Sequence, residues 1–205
     1  MEKNIQQLPG YQVNEYKLVL VPHEELIRHI QDVRKIFTDK FSIENPSTGI
    51  PQVLLASFKQ IHAAEDRILN RLRLVAMANP AFKVELKDFG SFPSHTIFIN
   101  VTSKVPITNL IKKVKTDGQR LMKLDADNKP YFPTDSHITI GLKLKPWQYE
   151  KAWLEYSHRH FTGRFIADHM LLLRRREGEF KYKIAESFKF ENMPVDVKQG
   201  DLFSW

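Results

Sequence analysis

The stretch SHITIGLKL, residues 136–144, sets a histidine and a threonine two places apart at the mouth of an otherwise apolar run. Alternate side chains of a strand share a face, so His137, Thr139 and Gly141 are expected on one side. Ile138, Ile140 and Leu142 are expected on the other, towards helices. A hydroxyl that donates to a phosphate oxygen, beside an imidazole that binds charge or moves a proton, makes a pocket for a phosphoryl group. H-x-T is short, and a histidine satisfied by a neighbouring carbonyl is its plainer reading. If the pair is catalytic, a partner for proton transfer must lie elsewhere in the chain.

The elements that position the pair follow from apolar periodicity. YKLVLVP (16–22) reads as a strand, and residues 23–40 as an amphipathic helix with Leu26, Ile27, Ile30, Val33, Ile36 and Phe37 on its buried side. PQVLLASF is a buried strand, 62–78 a second helix, and FKVELKDF a strand that alternates apolar and charged residues. The order then begins again. HTIFINV (95–101) is a strand, Pro106 introduces a helix, DADNKPYFPTD is a long polar loop, and HITIGLKL is a strand. Pro146 opens a fourth helix, and FTGRFIADHMLLLRRR and FKYKIAESFKF close the pattern as two strands. Each half runs strand, helix, strand, helix, strand, and the second half adds one more strand. The expected fold is therefore α+β, two pseudo-symmetric lobes whose antiparallel-rich sheets face a central cleft, with helices outside. One bilobal domain spans 16–190, between an extension (1–15) and a tail (191–205).

Bulk properties narrow the setting. The chain has 205 residues, a net charge of +7 and a pI near 9.5, which suits anionic partners such as RNA or phosphorylated metabolites. Lys112, Lys113 and Lys115 form one basic cluster, and Arg174, Arg175 and Arg176 with Lys181 and Lys183 another. The three arginines read first as a solvated strand end and second as a contact for an RNA backbone. The sequence contains no cysteine, no long apolar run and no apolar leader, so a cytoplasmic protein is expected. His158 and His160 are two apart and do not share a helical face, and the other histidines are isolated, so no metal site or cofactor is expected. Zinc-protease, P-loop, dinucleotide and serine-hydrolase motifs are absent.

Three segments together resemble the two-histidine phosphoesterase superfamily, in its branch of 2′-5′ RNA ligase-like proteins and cyclic phosphodiesterases. They are DSHITIGLKL, FGSFPSHTIFINV and MLLLRRREGEFKYKIAESFKF. The resemblance runs from about Tyr16 to Phe190. It implies a two-lobed α+β fold with an H-x-T/S motif on one strand of each lobe. It also implies metal-free acid–base chemistry by two facing histidines on 2′,3′-cyclic phosphate ends or 2′-5′ linkages of RNA or nucleotides. His137 and Thr139 match the second motif.

The first motif departs from that pattern. Both the duplication and the family comparison select PQVLLASF, where Gln52 stands in the place of the histidine and Leu54 in that of the Thr or Ser. His95 is the lesser candidate for the missing partner. It lies on the wrong strand of its lobe, with Ile97 rather than a hydroxyl two places on. Alternation sets His95 with Ile97, Ile99 and Val101 towards the core, and Thr96, Phe98 and Asn100 towards the cleft, where Phe98 would be a platform for a base or a core residue. The expected function is a 2′-5′ RNA ligase-like or cyclic phosphodiesterase protein, of weak or redirected activity, whose partner is an RNA end or nucleotide with a phosphodiester. Neither a membrane nor DNA specificity is indicated. The alternatives are a non-catalytic binding protein on the same scaffold, and an enzyme for an unrelated cyclic phosphodiester that recruits His95.

Overall fold

The computed structural model describes residues 10–44, 46–47 and 49–193. Its elements are β1 (Val13–Leu20), α1 (Glu24–Phe41), β2 (Val53–Ile61), α2 (Glu65–Met77), β3 (Phe82–Phe92), β4 (Thr96–Val101), α3 (Lys104–Met122), β5 (His137–Leu142), α4 (Pro146–Tyr156), β6 (Thr162–Ala167), β7 (His169–Arg176) and β8 (Lys183–Lys189). The fold is α+β, with two four-stranded antiparallel sheets ordered β2-β1-β7-β8 and β5-β4-β3-β6. The repeat expected from element order is present in the strands, since β1 and β2 occupy in the first sheet the places that β4 and β5 occupy in the second.

Chain order and sheet membership nevertheless part company. The third strand of the first half, β3, sits in the second sheet between β4 and β6. FTGRFIADHMLLLRRR, expected as one strand, breaks at Asp168 into β6 in the second sheet and β7 in the first. The helices cross as well. Helix α1 leaves the first sheet and packs against β5 of the second, while α3 leaves the second and packs against β2 of the first. The lobes are thus interleaved, and neither is made from one contiguous half of the chain. The first strand starts at Val13, inside the segment expected as an extension. Of the expected tail, Asn192 and Met193 donate backbone hydrogen bonds to Asn79 and Met77 at the end of α2, and residues 194–205 lie outside the described residues.

Local chemistry accounts for the helices. Acidic Glu24 and Glu25 in the first turn of α1 and Lys40 in the last suit the helix dipole. Pro146 occupies the first turn of α4, where its missing N–H costs nothing. The buried Gln148 side chain caps that helix through the Lys145 N–H at 2.9 Å and donates to the carbonyls of Phe41 and Ser42, tying α4 to the end of α1. The buried stripe of α1 is rotated from the expected one. It consists of Leu26, Ile30, Arg34, Phe37 and Phe41, whereas Ile36 is 53% exposed.

Two β-bulges shape the cleft. Across β1 and β2, Leu18 faces Ala56 and Val19 faces Leu54, leaving Leu55 as the extra residue. Across β4 and β5, Ile97 faces Gly141 and Phe98 faces Thr139, leaving Ile140 as the extra residue. A bulge shifts the alternation of every side chain beyond it. Gly141 therefore does not share a face with His137 and Thr139 as expected. It is buried against α1, where a Cβ would lie 2.5 Å from Phe37 Cε1, and Leu142 turns to the open face instead. Phe37 is fully buried, with its ring packed against those of Phe41 and Tyr156. Gly141→Ala is accordingly expected to destabilise the protein by about 1–3 kcal/mol through overpacking, seen as a melting temperature lowered by several degrees. An unchanged melting curve would mean that the strand relaxes around the methyl group.

Candidate functional site

The open face of β5 begins at His137. Its Nδ1 lies 2.9 Å from the carbonyl oxygen of Asp135, which can only accept, so Nδ1 carries the proton and Nε2 of the neutral ring keeps its lone pair. Two phenylalanines enclose the imidazole. The Phe98 ring centroid is 4.6 Å away and that of Phe92 is 5.2 Å away, nearly perpendicular. This desolvation pushes the His137 pKa below its ordinary value, against smaller opposing contributions from the Asp135 backbone and carboxylate. Thr139, two residues on and half-buried, has no side-chain partner among the described residues. A neutral base and an uncommitted hydroxyl thus stand together on one strand.

Neighbouring strands support this arrangement. Phe98 faces Thr139 and Asn100 faces His137 across β4 and β5. Gly90 of β3 lies opposite Phe98, and a Cβ there would come within 2.5 Å of both Phe98 Cε2 and Asn100 Oδ1. The absence of a side chain at Gly90 is what lets those two side chains lie across the sheet. Phe98 is 8% exposed, so it serves as a wall behind His137 more than as an open platform. Asn100 is half-buried, with its amide 3.4 Å from the Asp88 carbonyl. Thr96 is 2% exposed and its hydroxyl lies 2.5 Å from His95 Nδ1, which closes it to a ligand.

His95 is not brought to His137. It lies exposed in the turn before β4, five residues of chain, about 16 Å, from Asn100, the residue facing His137. Nor does it point into the core with Ile97, Ile99 and Val101, because the turn has not yet entered the alternation of the strand.

Gln52 and Leu54 are placed by the first bulge. In both β2 and β5 the extra residue follows directly on the third position of the motif, Leu55 after Leu54 and Ile140 after Thr139. The match of register sets Gln52-Val53-Leu54 against His137-Ile138-Thr139 on backbone geometry, independently of side-chain type. Both Gln52 and Leu54 are half-buried. Strands β2 and β5 are the edge strands of their sheets, and their Cα atoms approach within 8 Å. The two motif strands flank the seam where the sheets meet.

One residue at this seam was missed from the sequence. Arg34 of α1, 7% exposed, donates from Nε to the Thr139 carbonyl at 2.9 Å and from a terminal nitrogen to the Gly49 carbonyl at 2.5 Å. It forms no ion pair among the described residues, and burial lowers its pKa to about 10. The signal was present, since Arg34 falls four residues after Ile30 and three before Phe37 on the buried stripe. The arginine cluster near the last hairpin also differs from the solvated end expected. Arg174 donates from a single terminal nitrogen to both carboxylate oxygens of Glu65, which also accepts from the buried Tyr16 hydroxyl, and Arg175 pairs with Glu15. Among the described residues no group of three potential ligand side chains is placed to hold a metal ion, and no helix is long and apolar enough to cross a membrane.

The neutral imidazole has a consequence for pH. The unfolded chain takes up the His137 proton first as pH falls through about 6.5, while the folded chain still excludes it, so folding is weakened from there downward. His137→Gln is expected to lose less stability between pH 7 and pH 5 than the wild type, in denaturant titrations at each pH. Equal acid losses in the two proteins would refute a depressed His137 pKa.

The model of the 2′-5′ RNA ligase superfamily matches residues 22–179. Among solved structures, E. coli LigT complexed with 3′-AMP aligns with a TM-score of 0.60 at 14% identity, over 87% of this chain and 99% of that one. The LigT complex with phosphate gives a TM-score of 0.60 at 13% identity, covering 87% and 98%. TT0787 of Thermus thermophilus gives 0.54 at 16% identity, covering 86% and 98%. No curated protein matches significantly by sequence. The structural likenesses establish a shared fold, and the family match over most of the length means that the chain belongs to the 2′-5′ RNA ligase superfamily.

Proposed function

We propose that the protein binds, and acts weakly on, RNA ends or nucleotides that carry a cyclic or 2′-linked phosphate, through a half-site at His137 and Thr139. The observation that supports this most is the pairing of a neutral His137 Nε2 with the uncommitted Thr139 hydroxyl on the open face at the seam. E. coli LigT has been solved with 3′-AMP, with ATP and with NADP+, which favours a nucleotide as ligand here too. The lack of cysteine favours a cytoplasmic setting.

In the proposed reaction Thr139 donates to a non-bridging phosphate oxygen. His137 Nε2 takes the proton of a water as its oxygen bonds to phosphorus, and the P–O bond to one ribose oxygen breaks. That departing oxygen needs a proton. At the equivalent position across the seam Gln52 donates a hydrogen bond but no proton, and Leu54 offers the phosphate nothing. The proton then comes from solvent, and a missing positioned acid slows such a step by about 10²–10⁴. The same two residues favour the second reading, a binding protein on this scaffold.

One assay separates the two. For an oligonucleotide ending in a 2′,3′-cyclic phosphate, the wild type is expected to turn over slowly and His137→Ala not at all. Gln52→His combined with Leu54→Thr is expected to raise the rate by about 10²–10⁴. Binding that is lost in His137→Ala, with no turnover by any variant, would select the binding protein. Binding indifferent to His137 would overturn both readings.

A further inference from the structure

The open face of the first sheet carries a pocket of about 310 Å³, near the lower limit for a small-ligand site. Its floor is Lys17 and Ser57, which face each other across β1 and β2. Its wall is the loop that runs on to His137, pinned to β2 by paired backbone hydrogen bonds between Ser57 and Tyr131 of 2.8 and 2.9 Å. The long polar loop ahead of β5 is therefore anchored at this point.

The lysines of the pocket outnumber its carboxylates. Glu15 is taken by Arg175 at 2.6 Å, with Lys59 at 3.6 Å from its other oxygen. Lys17 has no ion-pair partner among the described residues. Its ammonium lies 4.6 Å from the Tyr182 ring centroid, which is also 4.6 Å from the Arg175 guanidinium. Burial, with Arg175 adding to it and Glu15 opposing it, lowers the Lys17 pKa. Lys129 on the rim is likewise unpaired among the described residues, and the Asp127 carboxylate there offsets one charge. The Tyr131 side chain, 58% exposed, stands on the same wall as a free aromatic face. An unpaired ammonium beside an open aromatic ring suits a phosphate and a base. Ser57 lies three residues beyond Leu54, about 10 Å along β2, so the pocket is close to the seam but distinct from it.

We propose that this pocket is a second subsite, holding the phosphate at Lys17 and the base on Tyr131 of the nucleotide next to the one bound at His137. The inference rests on the function proposed above and makes the ligand a single-stranded RNA end of at least two nucleotides. RNA follows because a 2′-linked phosphate requires a ribose 2′-oxygen.

The test compares adenosine 2′-phosphate with a diadenosine ending in the same 2′-phosphate, ends that carry no cyclic ester to be opened. The wild type is expected to bind the dinucleotide about tenfold more tightly. Lys17→Met is expected to lose most of that gain and to leave mononucleotide affinity within about twofold. It is also expected to lower the slope of log affinity against log salt for the dinucleotide by about 0.7, which a purely structural role would not do. Tyr131→Ala is expected to lose the gain and Tyr131→Trp to keep it. Lys17→Gln serves in place of Lys17→Met should the latter not fold. Equal affinity for the two ligands, or a Lys17 variant that weakens both alike, would overturn the subsite while leaving the His137 reading in place. Mononucleotide binding that is absent, or that His137→Ala leaves unchanged, would overturn that reading and the subsite with it.

Discussion

The guanidinium of Arg34 joins three parts that no covalent neighbourhood brings together. It belongs to a helix that departs from the first sheet, it bonds the Thr139 carbonyl in the edge strand of the second, and it bonds the Gly49 carbonyl in the chain leading to Gln52. A buried charge without a carboxylate is costly, and it persists only where geometry supplies enough carbonyl oxygens. Through these carbonyls Arg34 ties α1 both to β5 and to the chain that leads into β2.

The two sides of the seam share a backbone and differ in chemistry. Each motif strand is an edge strand with a bulge after the third motif residue. On the β5 side that frame holds an imidazole between two phenylalanine rings, with its tautomer fixed by a carbonyl. On the β2 side it holds an amide and a leucine, and Val19 faces Leu54 where Phe98 faces Thr139. The backbone frame is repeated on both sides of the seam, while the side chains it presents differ. In the function proposed above, Gln52 and Leu54 leave the β2 side without a proton-transfer group, and the pocket beyond Ser57 lies on that side.

Part of the setting was legible because it depends on short-range pattern. Alternation set Ile97, Ile99 and Val101 towards the core, and all three are buried, whereas Thr96 and Phe98, expected towards the cleft, are buried too. The same rule failed at Gly141, since a bulge depends on the partner strand and leaves no mark in the composition of its own strand. It also failed to find Arg34, because helical periodicity is read from apolar residues and a cation on the stripe looks like an interruption. His95 escaped it as well, lying in the turn before the alternation begins.

The sequence by itself determined which stretches are strands and helices, and which residue types stand on PQVLLASF and on HITIGLKL. These follow from side-chain chemistry and from periods of two and 3.6 residues, which act between near neighbours. The tertiary structure decided that β3 joins the second sheet and β7 the first, that the helices cross over, and that Glu15 goes to Arg175 and Glu177 to Lys59 while Lys17 has no ion pair among the described residues. Backbone hydrogen bonds and ion pairs are available to any partner within reach. Which partner comes within reach is fixed only when the sheets and helices pack against one another.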